Sequence, residues 1–181
     1  MLLAAAPSVP AETAALPADS IYHLHVTLTD QDGRSFPLDA RRGHPMVVSM
    51  FYTNCDYACP TSFETLRMTE ARLGEAERAR LGVLMVSLDP VRDTVPALRQ
   101  TMDQRGVNSA RWTLARTEPA DVRRLAAVLG IQYRALPGGD FNHSSVLLLV
   151  DADGRIVART AQLGHVDPAF LARVRSVLAR A

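Results

Sequence analysis

Cys55 and Cys59 are the only two cysteines of the chain, and three residues separate them. Thiols spaced this closely exchange with disulfides, ligate one metal ion together, or meet by coincidence. A disulfide scaffold is excluded, because a domain that depends on crosslinks carries more cysteines and spreads them along the chain. The pair sits in Phe51-Tyr52-Thr53-Asn54-Cys55-Asp56-Tyr57-Ala58-Cys59-Pro60, where an apolar strand pattern gives way to a helical one. Pro60 suits the first helical position, which puts Cys59 at or beside the cap and Cys55 in the loop before it. Helix-terminal N–H groups and the positive dipole end favour thiolate over thiol. Both redox exchange and metal binding need that. Thioredoxin-type oxidoreductases have two residues between their cysteines, one fewer than here. The longer loop still closes a disulfide where the Cα atoms come within about 7 Å, and it equally lets both sulfurs reach one ion. Two sulfurs do not complete a zinc site, which normally takes four ligands, but they go far toward satisfying Cu(I).

Five histidines are available as a further donor. His143 lies in a polar, Gly-rich stretch just before the apolar run 146–150, where a histidine is more often a surface or supporting residue than a ligand. His23 and His25 share one face of an expected strand and read as a solvated pair. His44 and His165 fall in turns. Met46, Met50 and Met85 lie on buried strands and read as core. Asp89 and Asp93 are expected to cap a helix or its leading turn, and Trp112 to pack in the core. Spacing alone does not single out His143.

The elements that must position these residues follow from the apolar pattern. Residues 22–30 alternate polar and apolar, and Asp32-Gly33 turns the chain into 35–38, an N-terminal hairpin. The continuous apolar runs 46–52 and 82–88 are strands covered on both faces. A helix is expected from Pro60 to about Arg80, and a second from Asp93 or Thr94 to Gly106. Residues 112–115 form a short strand, and a helix started by Thr117 and Pro119 is stopped by Gly130. Residues 146–150 and 155–159 flank a turn at 151–154, and Asp167-Pro168 caps the last helix. This order is α/β, with a central mixed sheet flanked by helices.

The chain has 181 residues, 48% of them apolar, a length that fits one domain, expected over 21–181. Its first 20 residues are rich in Ala and Pro and read as a disordered tether or signal-peptide remnant, the start being truncated. The formal charge is +1, and all 20 basic residues are arginine with no basic stripe, which argues against a nucleic-acid partner.

Four segments in order, LTDQDGRSFPL, FYTNCDYACP, VSLDPVRDT and NHSSVLLLVDADGRI, resemble the Sco/SenC family of copper-binding, thioredoxin-fold proteins. The resemblance runs from about Tyr22 to the C-terminus. It implies a thioredoxin-like fold in which Cys55, Cys59 and His143 bind one copper ion, Cu(I) or Cu(II). It further implies a periplasmic or membrane-tethered metallochaperone, working as a monomer. Its partners would be the copper-bearing subunit of cytochrome c oxidase, or another copper chaperone, and an external thiol reductant. The alternative is a thiol–disulfide reductase in which Cys55 and Cys59 are catalytic and keep the oxidase's copper-ligand cysteines reduced. Two departures stand out. Family members commonly carry Pro where this chain has Asp56, and an acidic residue where it has Asn142. Asp56 should raise the thiol pKa values by like-charge repulsion, and Asp140 is the carboxylate available to replace the one missing at Asn142.

Overall fold

Strand β3 (Met46–Phe51) is buried along its whole length, so successive side chains must enter two different cores. Val47 and Phe51 face one apolar cluster, and Met46, Val48 and Met50 face the other. This is the covered central strand that the unbroken apolar run predicts. The computed structural model describes residues 15–55 and 58–180, with Ala58 and Cys59 described by their backbone alone. Most of the expected N-terminal tether, residues 1–14, therefore lies outside the described residues.

β4 (Gly82–Ser87) and β5 (Trp112–Thr117) continue the sheet in parallel from β3. β1 (Thr27–Asp30) and β2 (Ser35–Pro37) form the expected hairpin on the β5 side. β8 (Leu147–Val150) and β9 (Ile156–Thr160) extend the other side antiparallel, giving the order β2-β1-β5-β4-β3-β8-β9. One face is covered by α1 (Ala58–Glu70), α3 (Val95–Arg105) and α5 (Pro168–Leu178). α4 (Pro119–Leu129) covers the other, beside Ile21 and Tyr22. On the first face Phe63 of α1 stacks on Trp112 at 5.6 Å, and the indole N–H donates to Glu70 at 2.9 Å. This mixed α/β architecture is thioredoxin-like.

Local chemistry explains the boundaries. Asp30 accepts from the N–H groups of Asp32 and Arg34, at 2.8 and 2.9 Å, and Asp151 does the same for Asp153 and Arg155, at 3.0 and 2.9 Å. Each carboxylate thus folds its hairpin turn onto a glycine with positive φ, Gly33 or Gly154. Gly106 and Gly130 end α3 and α4 in the left-handed conformation, and Asp167 caps α5, all as expected.

Five local expectations are corrected. Ile21–His23 form a 3₁₀ turn rather than the start of a strand, because Ser20 accepts from the Tyr22 N–H. The helix expected to run to Arg80 breaks at Gly74, whose N–H donates to Glu77 at 2.8 Å and opens a separate short helix, α2 (Glu75–Arg80). Thr117 belongs to β5 and bonds the Thr27 carbonyl, so Glu118 precedes α4 instead. α1 begins at Ala58, placing Cys59 within its first turn and Pro60 just after, where no intrahelical N–H is yet required. Thr94 alone caps α3, accepting from the Ala97 N–H at 3.4 Å, and Asp93 is used elsewhere.

The Gly154 turn also anchors the segment before β1. The Ile21 N–H donates to the Gly154 carbonyl at 2.9 Å, and the Ser20 hydroxyl to the Asp153 carbonyl at 2.6 Å. At Gly154, φ is +87°, and a Cβ would overlap Ser20 Oγ and stand 2.6 Å from Cδ2 of the fully buried Tyr22. Gly154→Ala is therefore expected to cost roughly 2–4 kcal/mol, from left-handed strain plus the clash, read as a lower urea midpoint.

Candidate metal and thiol site

The site lies beyond the carboxyl ends of β3 and β4, where open α/β sheets place their ligands. Leaving β3, the chain passes through buried Tyr52, Thr53 and exposed Asn54 to Cys55, which is 5% exposed. The Cys55 N–H donates to the Tyr52 carbonyl at 3.3 Å and curls the loop. Asp93, 1% exposed, holds this loop from the β4 side. Its Oδ1 accepts from the Thr53 hydroxyl at 2.6 Å and from the Thr53 N–H at 3.2 Å; its Oδ2 accepts from the buried Ser87 hydroxyl at 2.5 Å. Burial pushes the Asp93 carboxyl above its usual range, although the Ser87 and Thr53 bonds pull it back.

His143 arrives on an element that the sequence pattern hid. β6 (Tyr133–Ala135) and β7 (Phe141–His143) pair antiparallel as a small ribbon of their own, with Tyr133 opposite His143. The ribbon is closed at its base by the Ser144 N–H to the Gln132 carbonyl at 2.8 Å, and its tip turns at Gly138 and Gly139. Three-residue strands fall below the length at which alternation can be read, which is why this segment looks like loop in the sequence. The paired glycines flanked by YRA and FNH were its only signal.

The ring of Tyr52 meets Phe141 edge-on at 5.2 Å and His143 at 6.0 Å. Burial raises the Tyr52 phenol above its ordinary pKa. A backbone hydrogen bond with Phe141 opposes this, and the charge and hydrogen bond of Cys55 add to it. Cys55 and His143 thus both contact Tyr52. The His143 Nδ1–H donates to the Ser144 carbonyl at 3.3 Å, so the neutral ring carries its lone pair on Nε2. That Nε2 is buried and meets no hydrogen-bond partner among the described residues.

Of the expected trio, Cys55 and His143 are brought to one place by Tyr52, and the Cys59 side chain lies outside the described atoms. Among the described residues no three His, Cys, Asp or Glu side chains gather to hold a metal without it. Asp56 also lies outside the described residues. Asn142 and Asp140 are exposed, and the Asp140 charge is felt at Tyr52. His23, His25, His44 and His165 are exposed, whereas Met46, Met50 and Met85 are buried core, as their positions predicted. The donors are of the kind a soft metal takes: a buried thiol and, across Tyr52, a nitrogen lone pair that no described residue uses.

A thioredoxin-like domain with the buried Cys55 loop at the sheet's carboxyl edge and an imidazole on an added ribbon beside Tyr52 defines the class. The SCO1/SenC family profile matches residues 16–179, so the chain belongs to the SCO1/SenC family. It is 26% identical over 135 residues to a Stutzerimonas stutzeri protein that carries the name of a copper-binding protein. That match covers 71% of this chain and 64% of the relative, so the chain spans under two thirds of that relative's length. Copper-bound ScoI of Bradyrhizobium japonicum shares the fold with a TM-score of 0.72 at 21% identity, over 85% of this chain and 98% of that one. BsSco is a member of the Sco family of cytochrome c oxidase assembly proteins, in which a disulfide switch was identified. It shares the fold with a TM-score of 0.73 at 20% identity, over 87% of this chain and 94% of that one.

Proposed function

We propose that this protein is an extracytoplasmic copper metallochaperone, which carries one copper ion on Cys55, Cys59 and His143 and delivers it to the copper centre of a respiratory oxidase. The observation that carries this reading is the buried Nε2 of His143, without a hydrogen-bond partner among the described residues and held beside the Tyr52–Cys55 pair. A buried acceptor left without a partner costs about 1–3 kcal/mol, a cost that a bound ion removes. Two thiolates and one imidazole leave the ion under-coordinated, so an incoming thiolate of the recipient can add before any ligand leaves. Copper is here the cargo, passed by successive ligand exchange. Family membership and the copper-bound relative support the reading.

The relative with a disulfide switch supports a second reading, in which the same thiols reduce a partner disulfide. One thiolate attacks the partner's disulfide sulfur and releases one partner thiol. The second then attacks the mixed disulfide and releases the other, so the partner gains the two electrons and two protons that Cys55 and Cys59 lose. Titration of the reduced protein with copper under anaerobic conditions, followed by absorption and electron paramagnetic resonance, separates the two. The expected result is one equivalent retained, with a sulfur-to-copper charge-transfer band lost in Cys55→Ser and Cys59→Ser. A reduced wild-type protein that retains no copper would overturn the chaperone reading and leave the reductase.

A further inference from the structure

The ribbon bearing His143 shares no strand pairing with the main sheet, and a two-stranded ribbon alone is marginally stable. Phe141 and Tyr133 pack it against the two cores, and specific side-chain contacts hold it further. Tyr52 packs on its base, and a further attachment comes from the loop between β4 and α3. There the Asp89 N–H donates to the Ser87 hydroxyl at 2.9 Å, which fixes the start of the loop. Asp89 accepts from Arg92 Nε, and Nη2 of the same guanidinium donates to the Gly139 carbonyl at the ribbon tip. At Gly139, φ is +90°, and a Cβ there would overlap Arg92 Nη1 and approach Cζ to 3.1 Å. The guanidinium therefore seats on a backbone position that only glycine leaves open.

We propose that Arg92 is a positioning residue: a latch that holds the His143 ribbon against the cysteine loop and slows its opening. The adjacent Asp93 grips Thr53, two residues before Cys55, so residues 89–93 tie both donor-bearing segments to one loop. The guanidinium suits the task because it serves a carboxylate and a carbonyl at once, in a planar fork that a lysine ammonium does not reproduce. Unlatching frees the ribbon tip and leaves the base, held by Tyr52 and by the core packing of Phe141 and Tyr133, as hinge. The effect on copper rests on the metallochaperone reading; the effect on the ribbon does not.

Two variants approach the contact from opposite sides, Arg92→Ala by removing the donor and Gly139→Ala by blocking its seat. Arg92 is half-exposed, and its loss leaves the core untouched. In the metal-free protein, amide hydrogen exchange of residues 133–143 is expected to accelerate about tenfold in both variants, the equivalent of one charge-assisted hydrogen bond, while core amides keep their protection. Release of copper to a chelator is expected to accelerate by about the same factor, since the His143 donor then leaves more often. Unchanged exchange in the ribbon, or acceleration in only one of the variants, overturns the latch. Faster ribbon exchange with copper release unaltered overturns its link to the site. Should the wild-type protein hold no copper, the chaperone reading fails, and the exchange measurement still decides the latch.

Discussion

Replacing His143 by alanine is expected to lower copper affinity at least about a hundredfold, because loss of even a group that merely orients a ligand costs 10–100-fold. Stability of the metal-free protein should scarcely fall. The Nδ1–H bond to Ser144 is long, at 3.3 Å, and the buried Nε2 has no partner among the described residues. What alanine removes is the edge contact with Tyr52, and what it relieves is a desolvated acceptor worth about 1–3 kcal/mol. His143→Phe sharpens the test, since it keeps an aromatic edge against Tyr52 and deletes the orphan. That variant should match or exceed the wild type in thermal midpoint while losing copper as fully as the alanine variant. Copper affinity by competition with a chelator, and midpoints by calorimetry, read both arms. Copper retained within about threefold in His143→Ala would remove the imidazole from the donor set, given that any true ligand is worth far more than that. Thiol–disulfide exchange should survive both substitutions, because it needs only the sulfurs.

Where apolar periodicity was long, the architecture was legible. The runs around Val47 and Met85 could only be strands covered on both faces, and glycines 106 and 130 could only be helix stops. The thiol pair was legible too, since two cysteines alone in a chain must be accounted for together. The ribbon around His143 was not, because three-residue strands leave no period to count. Nor was the use of Asp93. An aspartate just before a helix reads as a cap by default, and here Thr94 does the capping while Asp93 reaches back across the strand ends to a residue 40 positions earlier. Sequence order reports the nearest partner available to a side chain, and folding offers Asp93 a better one. The same holds for Arg92 and Gly139, 47 positions apart and joined only once the ribbon is folded. Tyr52 was invisible for another reason: its place in an apolar run concealed a hydroxyl that meets Cys55.

Asp93→Ala is expected to destabilise the protein by about 3 kcal/mol, since it orphans the Thr53 N–H, the Thr53 hydroxyl and the buried Ser87 hydroxyl together. For a chain of this size that corresponds to a thermal midpoint lower by about 6–12 °C. Asp93→Asn should cost far less. Its Oδ1 can still accept from Thr53, and the Ser87 hydroxyl can rotate to accept from the new amide. The asparagine variant also isolates the charge. Burial raises the folded-state pKa of Asp93 above its ordinary 3.8, so the folded protein binds this proton more tightly than the unfolded chain does. A group shifted upward in this way favours the fold most when protonated. Its contribution is present below the unfolded value and declines as pH rises through the interval up to the folded value. Wild-type stability measured against Asp93→Asn by urea unfolding should therefore fall as pH rises above about 4, the ordinary carboxyl value, with the asparagine variant gaining on it. A difference that grows with pH would mean that the carboxylate is favoured in place, and that its bonds to Thr53 and Ser87 outweigh its desolvation. The loop holding Cys55 rests on that balance. An Asp93 that tolerates its charge only because three donors converge on it also keeps Thr53, and the thiol two residues beyond, from drifting away from the ribbon that carries His143.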